Sequence, residues 1–328
     1  MTATYFFYGL TIQADTLLPG FRVAEPNLNA VDIHVWFREP AEYAAVYSRE
    51  QAWADHPLYQ DRRPQDEQQQ GMRIFVSPDG EYTRLHYSTD VIFTVNRQAT
   101  QIFVQAPPDT ALEMICAYFV NPVLAFCLRS RGLTCLHASG VVVNGRALIF
   151  VAPSGSGKST FAFQFAKHGH TNLSDDICTL VDTPEGLSIL PGYPHLRLWS
   201  WTVEELLGDE NALPLIAPDW EKRYVDLNRS EYTFAASPVP LGAVFMLDGF
   251  SDRVSIVPIP NRLALMTLMN NTYLNYMIDH KMRSDDFRWL SRLTHSVPVY
   301  SMIRPEDMER IEECYQAVHD IVVASPEK

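Results

Sequence analysis

The chain has 328 residues, 47% of them hydrophobic and 20% charged, which allows one large or two ordinary soluble domains with ample core. A formal net charge of −13 argues against a general affinity for nucleic acid or for an anionic membrane. It favours a small anionic ligand held at a local positive site, or a neutral or basic protein partner. Cys116, Cys127, Cys135, Cys178 and Cys314 are odd in number and form no Cys-x-x-Cys pair, so they read as reduced core residues of a cytoplasmic protein. The opening MTATYFFYGLTIQAD lacks a basic n-region and a long apolar stretch, so no signal peptide is expected. No run of about 18 apolar residues predicts a membrane span.

Residues 1 to 107 are strand-rich. Tyr5–Ile12, Ala30–Phe37, Gly71–Val76, Tyr82–Tyr87, Val91–Asn96 and Gln101–Val104 are short β-prone runs, and Pro78-Asp79-Gly80 is a turn signal that predicts a hairpin. The polar stretch Arg49–Gln70 reads as an exposed loop. Pro107-Pro108-Asp109 closes this region, and Asp109 can cap the helical stretch Thr110–Arg131, which Pro122 is expected to break or kink. A strand over Leu136–Asn144 then turns at Asn144-Gly145 into the buried run Arg146–Val151. The division expected from these signals is a β-rich domain over 1–110 and an α/β domain over 111–328. Arg262–Asn275 and Arg304–Val323 are the clearest late helices, and no internal repeat is visible.

The chemistry concentrates after Val151. The stretch VAPSGSGKST runs from strand to glycine loop to a segment, Thr160–His168, with apolar residues at helical spacing. Backbone N–H groups at a helix N-terminus and the positive end of its dipole make an anion site. The cradle predicted for ATP is Ser154, Gly155, Ser156, Gly157, Lys158, Ser159 and Thr160, with Lys158 reaching the β/γ-phosphates and the Ser159 hydroxyl on Mg²⁺. The first position of the Walker A pattern G-x-x-x-x-G-K-[ST] is Ala152 here, which suits the loop only if its φ is negative.

Sixteen residues past Ser159, LSDDICTLVD sets Asp175 and Asp176 at the start of an apolar run. Adjacent strand side chains point opposite ways, so one carboxylate can serve Mg²⁺ and the other accept a proton. Asp248, in AVFMLDG, is a rival acid of Walker B shape. His137 begins the strand one hairpin before the loop; a His there is more often a structural residue than a catalyst, but the hairpin could bring it within reach of the phosphates. Pro191–Leu198 could line a groove or simply turn into a strand, and in Glu221-Lys222-Arg223-Tyr224 either cation could meet phosphate charge or belong to a solvated face.

In order and spacing, His137-Ala138-Ser139-Gly140, the Asn144-Gly145 turn, Ser154–Ser159 and Asp175-Asp176 resemble the catalytic domain of HPr kinase/phosphorylase. The resemblance runs from about residue 130 to 183, with weaker support to about 305. It implies a P-loop fold of the HPr kinase and phosphoenolpyruvate carboxykinase type and ATP-dependent phosphorylation of a serine. By position it makes Asp175 the base toward the serine hydroxyl, Asp176 the Mg²⁺-site acid beside Ser159, Lys158 the phosphate ligand, and His137 a neighbour of the transferred phosphate. The sequence departs from the bacterial HPr enzymes at Ala152, at Thr160, where they usually carry Glu, and over the N-terminal region. There YGLTIQADTLLPGF is similar to the leading segment of HPr-kinase-like proteins of peptide-biosynthesis clusters, some of which phosphorylate a ribosomal precursor such as a lasso peptide. The implied partner is a serine-bearing peptide or small protein, and the hexameric HPr enzymes imply a homo-oligomer. A small-molecule kinase of the same fold and a nucleotide-binding regulatory module are the other readings.

Overall fold

The computed structural model describes residues 2–24, 30–38, 53, 57–60, 71–218, 220–277 and 279–324. It divides into two compact units, Met1–Arg131 with Ala217–Trp220, and Gly132–Ile216 with Glu221–Lys328.

The first unit is built on an eight-stranded sheet in the order β1-β2-β3-β8-β7-β6-β5-β4. Its strands are β1 (Ala3–Phe7), β2 (Leu10–Ala14), β3 (Ile33–Trp36), β4 (Tyr59–Gln60), β5 (Met72–Val76), β6 (Tyr82–Tyr87), β7 (Ile92–Asn96) and β8 (Gln101–Gln105). The run expected as one strand, Tyr5–Ile12, is a hairpin. Tyr8 and Gly9 take φ of 52° and 73°, both positive as a type I′ turn requires, and Ala3–Phe7 folds back on Leu10–Ala14. The expected hairpin at Pro78-Asp79-Gly80 joins β5 to β6. Within the expected loop Arg49–Gln70, Tyr59–Gln60 pairs with β5; apart from Trp53 and residues 57–60, that stretch lies outside the described residues.

By its contacts the helix after Asp109 goes with this unit. Its pieces are α1 (Leu112–Tyr118), a π-turn (Phe119–Val123) and α2 (Leu124–Ser130). Pro122 neither breaks nor ends it: the wider i→i+5 turn absorbs the missing N–H. The helix packs through its aromatic residues, with Tyr118 stacked on Tyr87 at 4.0 Å and Phe119 6.5 Å from Phe21. Beyond its end, Arg131 donates to the carbonyls of Asp32 and Ala99. Leu112–Ser130 is long and apolar enough to cross a membrane, against the expectation of no such run, but 67% of it is buried inside the protein, as a core helix would be.

The second unit mixes strands and helices. Its strands are β9 (Cys135–Val143), β10 (Arg146–Val151), β11 (Thr171–Ser174), β12 (Ile177–Thr183), β13 (Gly186–Ile189), β14 (His195–Trp199), β15 (Lys222–Asp226), β16 (Val239–Phe250), β17 (Ser255–Pro258) and β18 (Val299–Arg304). Its helices are α3 (Lys158–Lys167), α4 (Ser200–Leu207), α5 (Asn261–Asn270), α6 (His280–Ser296) and α7 (Ile311–Ala324). The parallel trio β18, β16, β10 continues through antiparallel β9, which pairs with β11 along one stretch and with β12 along another. β13 links β12 back to the start of β16, closing a circuit of strands, and β14 and β15 form a separate antiparallel pair.

β10 shows why the core sits where it does. Leu148 and Phe150 point to one layer with Phe161, Phe165 and Phe245, while Ala147, Ile149 and Val151 point to the other with Val244, Met246 and Leu290. A strand buried on both faces reads as a continuous apolar run, which is what RALIFV is. Late elements shift from expectation. Arg304 ends a strand, the last helix begins at Ile311, and α6 is a helix the sequence reading did not pick out. All five cysteines are buried and unbridged.

Candidate functional site

The loop expected to hold phosphate leaves the C-terminal end of β10, where open parallel sheets place ligands. Gly157 caps α3 with φ 81° and ψ 16°, a left-handed conformation that a side chain would strain, and a Cβ there would meet Arg304 Nη2 at 3.3 Å. The turn leaves the N–H groups of the first residues of α3 without intrahelical partners, since the first helical bond runs from Phe161 N to Gly157 O. Ala152 is buried and has no positive φ. The missing glycine is therefore accommodated, because the backbone here has ordinary L-residue geometry.

Lys158 is 4% exposed and folds over its own loop, donating to the carbonyls of Ala152 at 2.9 Å and Pro153 at 3.0 Å. Burial pushes its ammonium below the ordinary lysine range, while Asp176 and Asp175 pull it back up. An ammonium poised on two carbonyls, beside free N–H groups, is a ready partner for phosphate oxygens. At the loop's far side Arg304, from the end of β18, donates to Ser156 O at 2.6 Å and lies against the rings of Phe161 and Phe250. Nothing local marks Arg304 in the sequence, since it reaches the loop from 148 residues away.

The two acids occupy a kink, not a strand start. β11 and β12 run successively along β9, and Asp175-Asp176 is the two-residue link between them, with Asp176 at φ 65°. The turn sends the carboxylates to different places. Asp175 is 7% exposed and accepts from Ser139 Oγ at 2.5 Å, Ser159 Oγ at 2.8 Å and the Arg197 N–H at 3.0 Å. Asp176 lies 3.7 Å from His137 Nε2 and 3.9 Å from Arg197 Nη1.

The neighbours also separate the two electrostatically. Burial and the adjacent Asp176 push the Asp175 carboxyl up, against the hydrogen bonds from Ser139, Ser159 and Arg197. Burial pushes Asp176 up too, but His137, Arg197 and Lys222 outweigh it and hold that carboxyl well below the usual range. Two adjacent carboxyls with opposed shifts can take different parts in proton and metal chemistry.

A small cleft of about 50 Å³ is lined by Ser154, Gly155, Gly157, Lys158, Ser159 and Thr160. His137, Asp176, Arg197, Trp199, Trp201 and Lys222 line it too. Ser156 and Asp175 are not among its lining residues; the first meets Arg304 through its carbonyl and the second backs Ser159. Pro191–Leu198 thus does both things considered for it, turning into β14 and presenting Arg197 to the cleft. Asp248 is exposed on β16 and does not line it. Ser139 carried no role in the sequence reading beyond its place in the motif, yet it makes the shortest bond to Asp175.

Among the described residues no three His, Cys, Asp or Glu side chains converge as a self-contained metal site. The donors present are the Ser159 hydroxyl and two carboxylates. That set of hard oxygens fits Mg²⁺, which takes one or two protein carboxylates and completes its shell with water and substrate phosphates.

No family model matches the chain, and no curated protein does. Among solved structures, the HPr(Ser) kinase/phosphatase from Coxiella burnetii is similar over 58% of this chain and 99% of its own, at 11% identity and a TM-score of 0.32. A likeness that weak carries neither a fold family nor an activity to this chain.

Proposed function

We propose that this chain is an ATP- and Mg²⁺-dependent kinase of the HPr-kinase-like type, acting in the cytoplasm on a serine of a peptide or small protein. The N-terminal resemblance makes a ribosomal precursor peptide, such as a lasso peptide, the acceptor class to try first. The observation that carries the reading is the convergence on one cleft of Lys158, Ser159, Asp176 and His137, with Asp175 behind Ser159. These residues come from three segments of the chain, and a loop that only bound nucleotide would have no use for a second carboxylate facing an open cleft.

Lys158 and the N–H groups opening α3 would hold the phosphates, and Ser159 with Asp175 would hold the ion. Bound Mg²⁺ supplies charge neutralisation at the phosphate oxygens and orientation for an in-line displacement. The division of labour between the acids favoured by the geometry is the reverse of the one the family resemblance implies. Asp175 is occupied by the metal-ligating serine, whereas Asp176 faces the cleft with acceptor oxygens toward an entering hydroxyl. In the step itself, the serine oxygen bonds to the γ-phosphorus and the bond from that phosphorus to the bridging oxygen of ADP breaks. The hydroxyl proton passes to Asp176 and then to solvent, and ADP leaves. His137, 3.7 Å from Asp176, orients that carboxylate.

The test is incubation with ATP and Mg²⁺ and a panel of serine-containing precursor peptides, with HPr and small hydroxyl compounds alongside, read by mass spectrometry. A single phosphate on a peptide serine is the expected result. Phosphate found only on a small molecule would move the assignment to a small-molecule kinase. ADP·Mg²⁺ binding with no transfer to any acceptor would leave a regulatory module.

A further inference from the structure

Two neighbouring cations, Lys222 and Arg223, begin β15, and alternation along the strand sends them to opposite faces. Arg223 is consumed by the fold. Its Nε donates to Ser200 Oγ at 3.1 Å, its Nη1 to the Leu213 carbonyl at 2.6 Å and its Nη2 to Asn211 Oδ1 at 2.7 Å. Lys222 goes the other way, into the cleft that the phosphate loop also lines. Its register partner on β14 is Trp199, and the ammonium lies 4.5 Å from the centroid of that ring.

Among the described residues, Lys222 Nζ makes no hydrogen bond and no ion pair within 4.0 Å, although Asp176 lines the same cleft. The two other cations there are engaged. Lys158 sits on loop carbonyls, and Arg197 lies beside Asp176 while its N–H holds Asp175. Burial pushes the Lys222 ammonium below the ordinary lysine range. A desolvated cation held over an indole, with donors unspent, is a device for meeting negative charge that arrives from outside.

We infer that Lys222, positioned by Trp199, is a catalytic residue that donates to the oxygens of the phosphoryl group in transfer. The inference rests on the kinase reading and deepens it, since it assigns a role to a further cation in the cleft that the phosphate loop lines. Lys158 then serves the bound triphosphate and Lys222 the charge that spreads over the phosphoryl oxygens as the bond to ADP lengthens.

The test uses binding as well as turnover. The affinity of the full chain for ADP·Mg²⁺ is measured with and without aluminium fluoride, a mimic of the phosphoryl group in transfer. Lys222→Gln is expected to leave ADP·Mg²⁺ affinity and the melting temperature unchanged. It should abolish the tightening produced by the fluoride and lower kcat about 10²- to 10³-fold, the loss typical of one transition-state donor. Lys222→Arg, which keeps the charge, should restore part of the tightening, and Trp199→Leu should lose part of it. If Lys222→Gln fails to fold, the Arg and Leu variants carry the same comparison. Equal fluoride tightening in wild type and variants overturns the inference and leaves the kinase reading standing. A wild-type chain that binds no ADP·Mg²⁺ overturns both.

Discussion

Replacing Asp176 by Asn separates the two acids. The carboxylate faces the cleft, with about a quarter of its side chain exposed, 3.7 Å from His137 Nε2 and 3.9 Å from Arg197 Nη1. Losing the proton acceptor should cost transfer about 10²- to 10⁴-fold, or about 3–5 kcal/mol of barrier. Asp175→Asn should behave differently. Three donors converge on that buried carboxylate, from Ser139, Ser159 and the Arg197 N–H, and an amide presents one acceptor oxygen in place of two. Losing at least one charged hydrogen bond should destabilise the protein by about 2–3 kcal/mol and raise the Mg²⁺ concentration needed for half-maximal binding of nucleotide. Single-turnover phosphorylation, calorimetric titration of ADP·Mg²⁺ and urea unfolding of both variants supply the measurements. Near-wild-type transfer in Asp176→Asn, with loss of transfer but intact stability and Mg²⁺ dependence in Asp175→Asn, would refute this reasoning and restore the roles implied by the family resemblance.

Three further outcomes are expected. Ala152→Gly restores the usual P-loop residue but should not tighten nucleotide binding, because Ala152 has no positive φ, and it should lower unfolding stability by about 0.5–1 kcal/mol; a gain in affinity would show that the alanine compromises the loop. His195 is 4% exposed, and burial, with Asp226 opposing and Arg197 adding to it, lowers its imidazole from 6.5 to about 4. The unfolded chain takes up that proton first. The contribution is therefore complete above pH 6.5 and is lost as pH falls toward 4, by about 3 kcal/mol in total. Urea unfolding of His195→Gln across this window should show a shallower decline than wild type, and parallel curves would exclude the residue as the cause. Phe150→Ala empties a position ringed by Phe161, Phe165 and Phe245, with centroids 5.2–5.9 Å away, and should cost about 3–5 kcal/mol in unfolding free energy. A loss below 1 kcal/mol would mean that the layer under the loop repacks.

What could be read from residue order alone was whatever depends on neighbours along the chain. The strand Arg146–Val151, the turn at Asn144-Gly145 and the loop with its helix are specified by apolar runs, by residues that accept positive φ and by spacing within a few positions. The grouping of His137, Lys158, Ser159 and the acid pair was legible for the same reason, since one hairpin and one helix separate them. Where local signals compete, the sequence misled. Tyr8 gives no warning that it takes φ 52° in a turn, and Pro122 looks like a break but lies in a π-turn within one helix. Tertiary structure alone decided which partner each polar group found. Asp175 and Asp176 are adjacent and chemically identical, yet the kink between β11 and β12 buries one against Ser139 and Ser159 and turns the other into the cleft. Arg304 reaches Ser156, and Lys222 rather than Arg223 lines the cleft, because strands far apart in sequence are packed side by side. Local spacing sets the direction of a side chain relative to its own strand; what lies in that direction is set by the rest of the chain.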